Sequence, residues 1–240
     1  MLAYHHFSLN RSRRHLLLAF AMLLFPLFAL LVFSYVTNLD FTASVYDLLV
    51  SMWRLGCAFI IATIIAWTLV VTVIGSKAEG AALALFDVMQ SLPTFVILPL
   101  GIHYFGQTEK TIIMFLVITI VWPIIFSIVS SLKQVNRSWH EAVTISRLRG
   151  FNYIRYYLFP VTTPGITTGA IIGLGDGWEA LVATELLIHA ETGLGPFFAK
   201  FSTDTTMTMF GVLIFLSIIF TLNKFIWLPL LEKSHEMITP

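Results

Sequence analysis

Charged residues are scarce in this sequence. Asp, Glu, Lys and Arg together make up 11% of its 240 residues, whereas hydrophobic residues make up 58%. Soluble domains carry about 25% charged residues, so a chain this apolar is typical of a protein that crosses a membrane several times. The formal net charge of +1 lacks the basic excess of a nucleic-acid-binding protein, and we expect no nucleic-acid partner.

Cysteine is nearly absent, and so are the short motifs of common enzyme classes. Cys57 is the single cysteine, which excludes an intramolecular disulfide and a thiolate metal cluster. The sequence has no HExxH motif, no G-x-S-x-G motif and no G-x-x-x-x-G-K-[ST] phosphate-binding loop. We therefore expect no catalytic, metal or cofactor site in this chain, and any ATP hydrolysis must come from a separate chain.

Long apolar runs dominate what the sequence does contain. A helix needs about 20 residues to cross a bilayer. The third run is broken by Pro93 and Pro99, and the first is longer than the core of a cleaved signal peptide, which has about 7–15 residues. The pattern predicts an all-α integral membrane protein with about six transmembrane helices. The predicted helices cover residues 15–36, 53–75, 81–102, 111–132, 163–189 and 207–228.

Basic residues are distributed unevenly between the two sides of this arrangement. Lys and Arg resist translocation, so loops rich in them mark the cytoplasmic side. Lys110 and Lys200 alone fall clearly on the predicted outer side. The asymmetry predicts that both termini are cytoplasmic. The residues on the predicted inner side are Arg11, Arg13, Arg14, Lys77, Lys133, Arg137, Arg147, Arg149, Arg155 and Lys233.

Residues 133–164 form a long loop between the fourth and fifth predicted helices, here called the basic loop. Its single acid, Glu141, stands among five basic residues. Ala142, Ile145 and Leu148 recur every three residues, which predicts a helix that Gly150 can end in a left-handed conformation. A second short helix is predicted over 151–159, closed by Pro160. Two such helices make a docking surface for another protein.

These residues resemble the "EAA" loop of bacterial ABC-importer permeases, in particular the nitrate/sulfonate/taurine branch. One position departs from the family pattern, because Arg147 stands where the family has its usual glycine. The resemblance extends over residues 48–233. It rests on Glu141-Ala142-Val143, Gly150, Leu158-Phe159-Pro160, Gly177-Trp178, Leu181-Val182-Ala183-Thr184-Glu185, Gly193-Leu194-Gly195, Asn223-Lys224, Trp227 and Pro229-Leu230.

The resemblance implies a type I ABC importer permease fold in a bacterial inner membrane. The chain would then be a multi-pass transport subunit working by alternating access, and not an enzyme itself. Its implied partners are a second permease subunit, with a homodimer expected, two cytosolic ATPases that bind ATP and Mg, and an extracytoplasmic solute-binding protein. The basic loop would couple to the ATPase through Glu141, Ala142, Val143, Arg147, Arg149 and Gly150. The implied cargo is a small anion or organic solute of the nitrate, sulfonate or taurine type.

The same reading divides the chain into four parts. A cytoplasmic tail (1–14) precedes the first transmembrane helix (15–36). A permease core (48–233) contains the basic loop as its coupling element, and a short tail (234–240) follows.

The fifth predicted helix carries glycine at every fourth position. Small residues at this spacing let two helix backbones approach closely in lipid. The glycines are Gly165, Gly169, Gly173 and Gly177. We expect this stripe to pack against another helix, either within the subunit or across a subunit boundary.

Several polar residues lie inside predicted membrane helices, where an ionised side chain costs a few kcal/mol unless it faces protein or water. One interpretation is a lined substrate pathway, and the other is a set of structural hydrogen bonds or helix-kink contacts. Acids on the pathway of an anion would have to be neutral, paired with a cation or off the path. Arg54 is more typical of a snorkelling or salt-bridged residue than of a ligand. The pathway candidates are Asp87, Gln90, Ser91, Asp176, Trp178, Glu179 and Glu185.

Two other functions are compatible with parts of the sequence. Gly173-Leu174-Gly175-Asp176 resembles a motif of intramembrane aspartyl proteases, and Tyr46-Asp47 superficially resembles their other motif. Such enzymes need two carboxyls that share a proton, yet Asp47 lies at the predicted outer boundary and Asp176 in the middle of a predicted helix. Their Pro-Ala-Leu motif is missing from the sequence. The remaining alternative is a membrane scaffold without transport activity.

Overall fold

A computed structural model describes residues 13–38, 40–135, 143 and 145–236. The described part is helical, with no strand among its residues. The helices are α1 (Arg13–Thr37), α2 (Phe41–Val73), α3 (Glu79–Gln90), α4 (Thr94–Phe105), α5 (Glu109–Lys133), α6 (Gly150–Leu187), α7 (Leu194–Ala199), α8 (Thr205–Leu222) and α9 (Leu228–Glu236).

The prediction of an all-α membrane protein is confirmed. Within the described residues, four helices are long and apolar enough to cross a membrane: α2, α5, α6, and α8 together with its continuation into α9. The pair α3–α4 would make a fifth span if it counts as one. Helix α1 has 25 residues and covers the predicted first span, and the apolar stretch found within it is Leu24–Thr37.

The third predicted span, 81–102, is broken in the structure, as its prolines indicated. The chain bends by 85° between α3 and α4, at Ser91–Pro93. Pro93 has an extended ψ of 112° and stands just before the first residue of α4, the place where a missing N–H costs a helix nothing. The sequence correctly marked this proline as a break, and the size of the bend was not predictable from it.

Helix α2 begins earlier than predicted. The second predicted helix begins at residue 53, but α2 starts at Phe41 and runs for 33 residues. Asp40 explains the start, because its carboxylate accepts a hydrogen bond from the Thr42 N–H at 2.9 Å and so satisfies a free donor of the first turn. Asp204 caps α8 in the same way, through the N–H groups of Thr206 and Met207.

The second half of the basic loop is not a separate short helix. The chain is helical from Gly150 to Leu187 without interruption, so the predicted end at Pro160 is wrong. A π-helical turn at Ile154–Leu158 comes two residues before that proline, and the Phe159 N–H donates to the Ile154 carbonyl five residues back. The wider turn lets the helix pass a residue that cannot donate its own N–H.

A similar π-helical turn occurs at the end of α8. A π-helical turn at Asn223–Trp227 links α8 to α9, and Pro229 again follows two residues later. The Leu228 N–H donates to the Asn223 carbonyl. In both helices a π-helical turn therefore accommodates a proline near one end.

Helix α5 lies at the centre of the core and packs against both α2 and α6. Its buried face is almost entirely aliphatic and includes Ile120, Ile124 and Ile128, which are fully inaccessible. The face of α2 that packs here is a stripe of small residues at a spacing of four, Ala58, Ala62 and Ala66. Small side chains allow close helix approach, so van der Waals contact rather than water exclusion can hold the bundle together in lipid.

Candidate functional site

A cluster of polar side chains, most of them buried, lies where α2, α5, α6 and the segment after α6 meet. We call it the polar cluster and define it by Asp47, Ser51, Arg54, Glu109 and Glu185. The three residues from α2 are spaced by four and by three, which places them on one face of that helix. Arg54 and Asp47 are 2% and 7% exposed, so the cluster removes charges from water and must satisfy them internally.

Arg54 is the centre of the polar cluster. Its Nη1 donates to Glu185 Oε1 at 2.7 Å and to the Thr192 carbonyl at 2.7 Å. Its Nε donates to Glu109 Oε2 at 2.7 Å, and its Nη2 pairs with the other oxygen of the same carboxylate. Two carboxylates from different helices thus hold one guanidinium, as its planar fork of donors permits. The interpretation of Arg54 as a salt-bridged residue fits this geometry.

Glu185 is completely inaccessible to solvent, and both of its carboxylate oxygens accept hydrogen bonds. Besides Arg54, the Ser51 hydroxyl donates to its Oε1 at 2.8 Å and the Gly195 N–H donates to its Oε2 at 2.8 Å. A buried carboxylate is tolerated when a cation and several donors replace its hydration. The arrangement accounts for the acid without any role in binding a solute.

The segment Gly193–Gly195 joins the polar cluster through its backbone. The Gly193 N–H donates to Asp47 Oδ1 at 3.0 Å, and the Leu194 N–H donates to Ser51 Oγ at 2.9 Å. A Cβ added to Gly195 would lie 2.5 Å from Glu185 Cβ, and one added to Gly193 would lie 2.6 Å from Glu185 Oε2. Glycine is needed at both positions because the backbone itself approaches the carboxylate.

The polar cluster includes residues that sequence reasoning did not select as site residues. Asp47, Ser51 and Glu109 were missed because their partners are more than 50 residues away along the chain. A usable signal was present, since Gly193-Leu194-Gly195 follows Glu185 closely and glycine pairs of this kind often mark close backbone approach.

The third-span candidates are brought together at the bend. Gln90 Nε2 donates to Asp87 Oδ1 at 2.9 Å, and Ser91 Oγ donates to the Val88 carbonyl at 2.7 Å. All three side chains are exposed in this single subunit. The contacts stay within one helical turn, so they stabilise the bend locally and leave the polar groups open to a pathway or to another subunit.

The candidates on α6 separate into two sets. Trp178 is buried and packs edge-on against Phe215, with ring centroids 5.3 Å apart, on the same side as Glu185. Asp176 and Glu179 are exposed, and within the described residues neither has a hydrogen-bond or cationic partner. The structure therefore does not bring the three acids of this helix into one group.

The glycine stripe lies against α5. A Cβ on Gly165 would lie 2.6 Å from the Ser127 carbonyl oxygen, and one on Gly169 would lie 2.6 Å from Ile124 Cα. Gly173 and Gly177 face the side chain of Ile120 at 3.2 and 3.0 Å. These distances place the stripe inside the subunit rather than at a boundary with another one.

The basic loop is described only in part. Glu141 and Ala142 lie outside the described residues, whereas Val143 is helical and half-buried. Arg147 has a φ of +49°, a left-handed conformation that side chains rarely adopt. It stands at the position of the family's usual glycine, a residue that adopts this conformation freely. Gly150 has a φ of +56° but begins α6 instead of ending a helix, which corrects the predicted stop; Arg149 precedes it with an extended backbone.

Comparison with known proteins agrees with this architecture. The nitrate import permease protein NrtB of Synechocystis sp. is 30% identical over 148 residues, which are 61% of this chain and 54% of that protein. The bicarbonate transport system permease protein CmpB of Synechococcus elongatus is 26% identical over 153 residues, 63% of this chain and 55% of the relative. The taurine transport system permease protein TauC of Escherichia coli is 32% identical over 111 residues, 46% of this chain and 40% of the relative. The chain spans about half the length of the curated relatives it matches first.

A family model described as "binding-protein-dependent transport system inner membrane component" matches residues 58–228. The match includes α5, α6, the second half of α2 and the whole glycine stripe, and it confirms the resemblance seen in the sequence. Because it covers well over half of the chain, this protein belongs to the family of binding-protein-dependent transport system inner membrane components and has the all-α fold of type I ABC permeases.

Proposed function

We propose that this chain is the transmembrane subunit of an ATP-driven importer and forms the substrate pathway by alternating access. The observation that carries the proposal is the family match over residues 58–228, which includes the helices that would line such a pathway. The relatives are named as permeases for nitrate, bicarbonate and taurine. We extend to this chain the chemical class that these names share, a small anion or small organic solute.

The subunit surface supports a second copy of the chain as a partner. Asp87, Asp176 and Glu179 are exposed on apolar helices, where a carboxylate facing lipid would cost about 2.5–3.5 kcal/mol. A water-filled path between two subunits removes that cost. In this arrangement the acids lie beside the pathway, and for an anionic substrate they must be protonated or matched by a cation of the other subunit.

ATP and Mg would be bound by two separate cytosolic ATPases, and an extracytoplasmic binding protein would deliver the substrate. The basic loop is the proposed contact with the ATPase, and it is continuous with α6. ATP-driven closure of the ATPases would move the loop, and α6 would carry this movement to α5 through the glycine stripe.

The orientation that this mechanism requires can be tested by labelling. A cysteine at Ser138, in the basic loop, is expected to react only with a reagent in the cytosol, and one at Thr203 only with a reagent outside. Periplasmic labelling of the Ser138 variant would overturn the proposed topology.

The coupling role is tested by substitutions in the loop, measured in the reconstituted complex. Ala142→Asp introduces a charge whose burial at an ATPase contact would be costly, so it should abolish co-purification or transport-stimulated ATP hydrolysis. Glu141→Ala should act in the same direction more weakly, because it removes only a helix-capping or paired charge. The control is Lys77→Ala, in the other predicted cytoplasmic loop, which should leave both readouts unchanged. Normal association and stimulation in Ala142→Asp would remove the loop from the mechanism.

A further inference from the structure

The two carboxylates that hold Arg54 differ in how firmly they are held. Glu185 is inaccessible and receives three hydrogen bonds, from Arg54, Ser51 and Gly195. The Glu109 side chain is 61% exposed, and among the described residues its side-chain hydrogen bonds and ion pair go to Arg54 alone. Glu109 is also the first residue of α5, where the side chain has no preceding turn to pack against. Glu185 is thus a fixed partner of Arg54, whereas Glu109 can dissociate from it.

The bond that Glu109 makes is a bidentate one. The Nε and Nη2 of Arg54 each meet a different oxygen of the carboxylate, with 2.7 Å for the Nε bond. This pair of parallel donors recognises any planar group with two oxygens on one centre, which includes carboxylates, bicarbonate and nitrate. The Nε and Nη2 groups of Arg54, here called the Arg54 fork, consequently form an oxyanion site. In this structure the site is filled by the carboxylate of Glu109.

An open crevice gives access to this fork. It has a volume of about 510 Å³ and is lined by Arg54, Gln107, Thr108, Glu109, His189 and Glu191, among others. The size lies within the range of small-molecule sites. Gln107, Thr108 and His189 add groups that can donate hydrogen bonds at its rim, while Glu191 and the buried Glu185 are negative charges that keep the affinity for an anion low.

We propose that the Arg54 fork is a binding site for a small planar oxyanion, with Glu109 as a displaceable internal occupant. When an anion takes the fork, Glu109 turns into the crevice and α5 loses its ionic tie to α2. The buried pair between Arg54 and Glu185 stays intact, so the polar cluster keeps its structure. The site is separate from the acids of α3 and α6, and the proposal concerns binding, not transport.

The test is chemical rescue in the full chain, reconstituted in lipid nanodiscs. Glu109→Ala frees the fork, so sodium acetate and sodium nitrate should raise its thermal midpoint above the value in sodium chloride at equal ionic strength. The wild type should respond less, because its own carboxylate competes. Glu109→Gln is the matched control, since its amide oxygen keeps one acceptor on the fork and should leave a smaller response than alanine.

A second readout does not depend on stability. Saturation transfer to the methyl protons of acetate should be strong with Glu109→Ala, weaker with the wild type, and lost in the double variant Arg54→Gln/Glu109→Ala. The site would be overturned if acetate and nitrate had the same effect as chloride on Glu109→Ala. It would also be overturned if Glu109→Gln and Glu109→Ala responded equally, because the effect would then come from the bulk salt. Binding data with the single variants decide the question even if the double variant does not fold.

Discussion

Helix α6 carries acids in two contrasting environments. Glu185, near its end, is inaccessible and enclosed by Arg54, Ser51 and the Gly195 N–H. Asp176, nine residues earlier and therefore about half a turn away around the axis, is exposed in the single subunit. A charge on one face is part of the fold, while a charge on the opposite face needs water or another chain. Position along a membrane helix therefore says less about an acid's role than the face on which it lies.

The largest expected effect comes from removing the enclosed carboxylate of Glu185. Glu185→Ala leaves Arg54 buried without its inner partner, and loss of one member of a buried pair typically costs about 3–5 kcal/mol. Glu109→Ala removes the exposed partner of the same guanidinium and should cost less than about 1 kcal/mol. Thermal unfolding of the purified subunit in detergent compares the two. Equal losses would show that the two carboxylates are not held differently.

The next effect concerns the glycines of the same helix. A methyl group on Gly169 would lie 2.6 Å from Ile124 Cα, which is backbone and cannot move aside, so Gly169→Ala should cost about 1–3 kcal/mol. Gly175 has open space around its Cβ position, and Gly175→Ala should stabilise by up to about 1 kcal/mol through helix propensity alone.

Gly169→Ala and Gly175→Ala make the same chemical change at two positions of one helix. A difference between them in complex yield or thermal midpoint therefore reports the packing contact of Gly169. Glycine packing against α5 would be refuted if both variants shifted the midpoint in the same direction.

Neutralising the exposed Asp176 is expected to have a small effect on stability. Asp176→Asn should change the unfolding free energy by less than about 0.5 kcal/mol, because the side chain has no partner in the described part of the subunit. Coupled uptake should persist in the reconstituted complex at a changed rate. An aspartyl enzyme, by contrast, would lose all activity. Cleavage of a membrane substrate by the wild type that Asp176→Asn abolished would overturn the assignment to transport.

An effect confined to the basic loop is expected at Arg147. Its φ of +49° costs about 1 kcal/mol relative to glycine, which reaches this region freely. Arg147→Gly should therefore make the basic loop more resistant to limited proteolysis, partly offset by the greater freedom of glycine in the unfolded chain. A matched Arg149→Gly, at an extended position, should not. If the two variants were cleaved equally, the conformation at residue 147 would carry no strain.

The sequence predicted those features that depend on local pattern. The apolar runs placed α5 and the membrane part of α6 within a few residues, and the four-residue glycine spacing indicated a close helix contact. What it could not supply were pairings between distant segments. Arg54 and Glu185 are 131 residues apart, and nothing local to either residue identifies the other as its partner.

The helical path through Pro160 was missed for a different reason. Proline usually ends a helix, since it lacks an N–H and its ring meets the preceding carbonyl. The π-helical turn relieves both problems, but its only local trace is an apolar, aromatic-rich segment before the proline. The same trace occurs before Pro229, so the two segments together would have been a better guide than either alone.

The uninterrupted helix Gly150–Leu187 has a mechanical consequence. With 38 residues and a rise of about 1.5 Å each, it is a rod of about 57 Å, nearly twice the roughly 30 Å thickness of the hydrocarbon layer. A rod of this length magnifies rotation: a tilt of about 5° about one end displaces the other by about 5 Å. In the proposed mechanism, a movement of about 5 Å at Gly150 would need a tilt of only about 5° in α6.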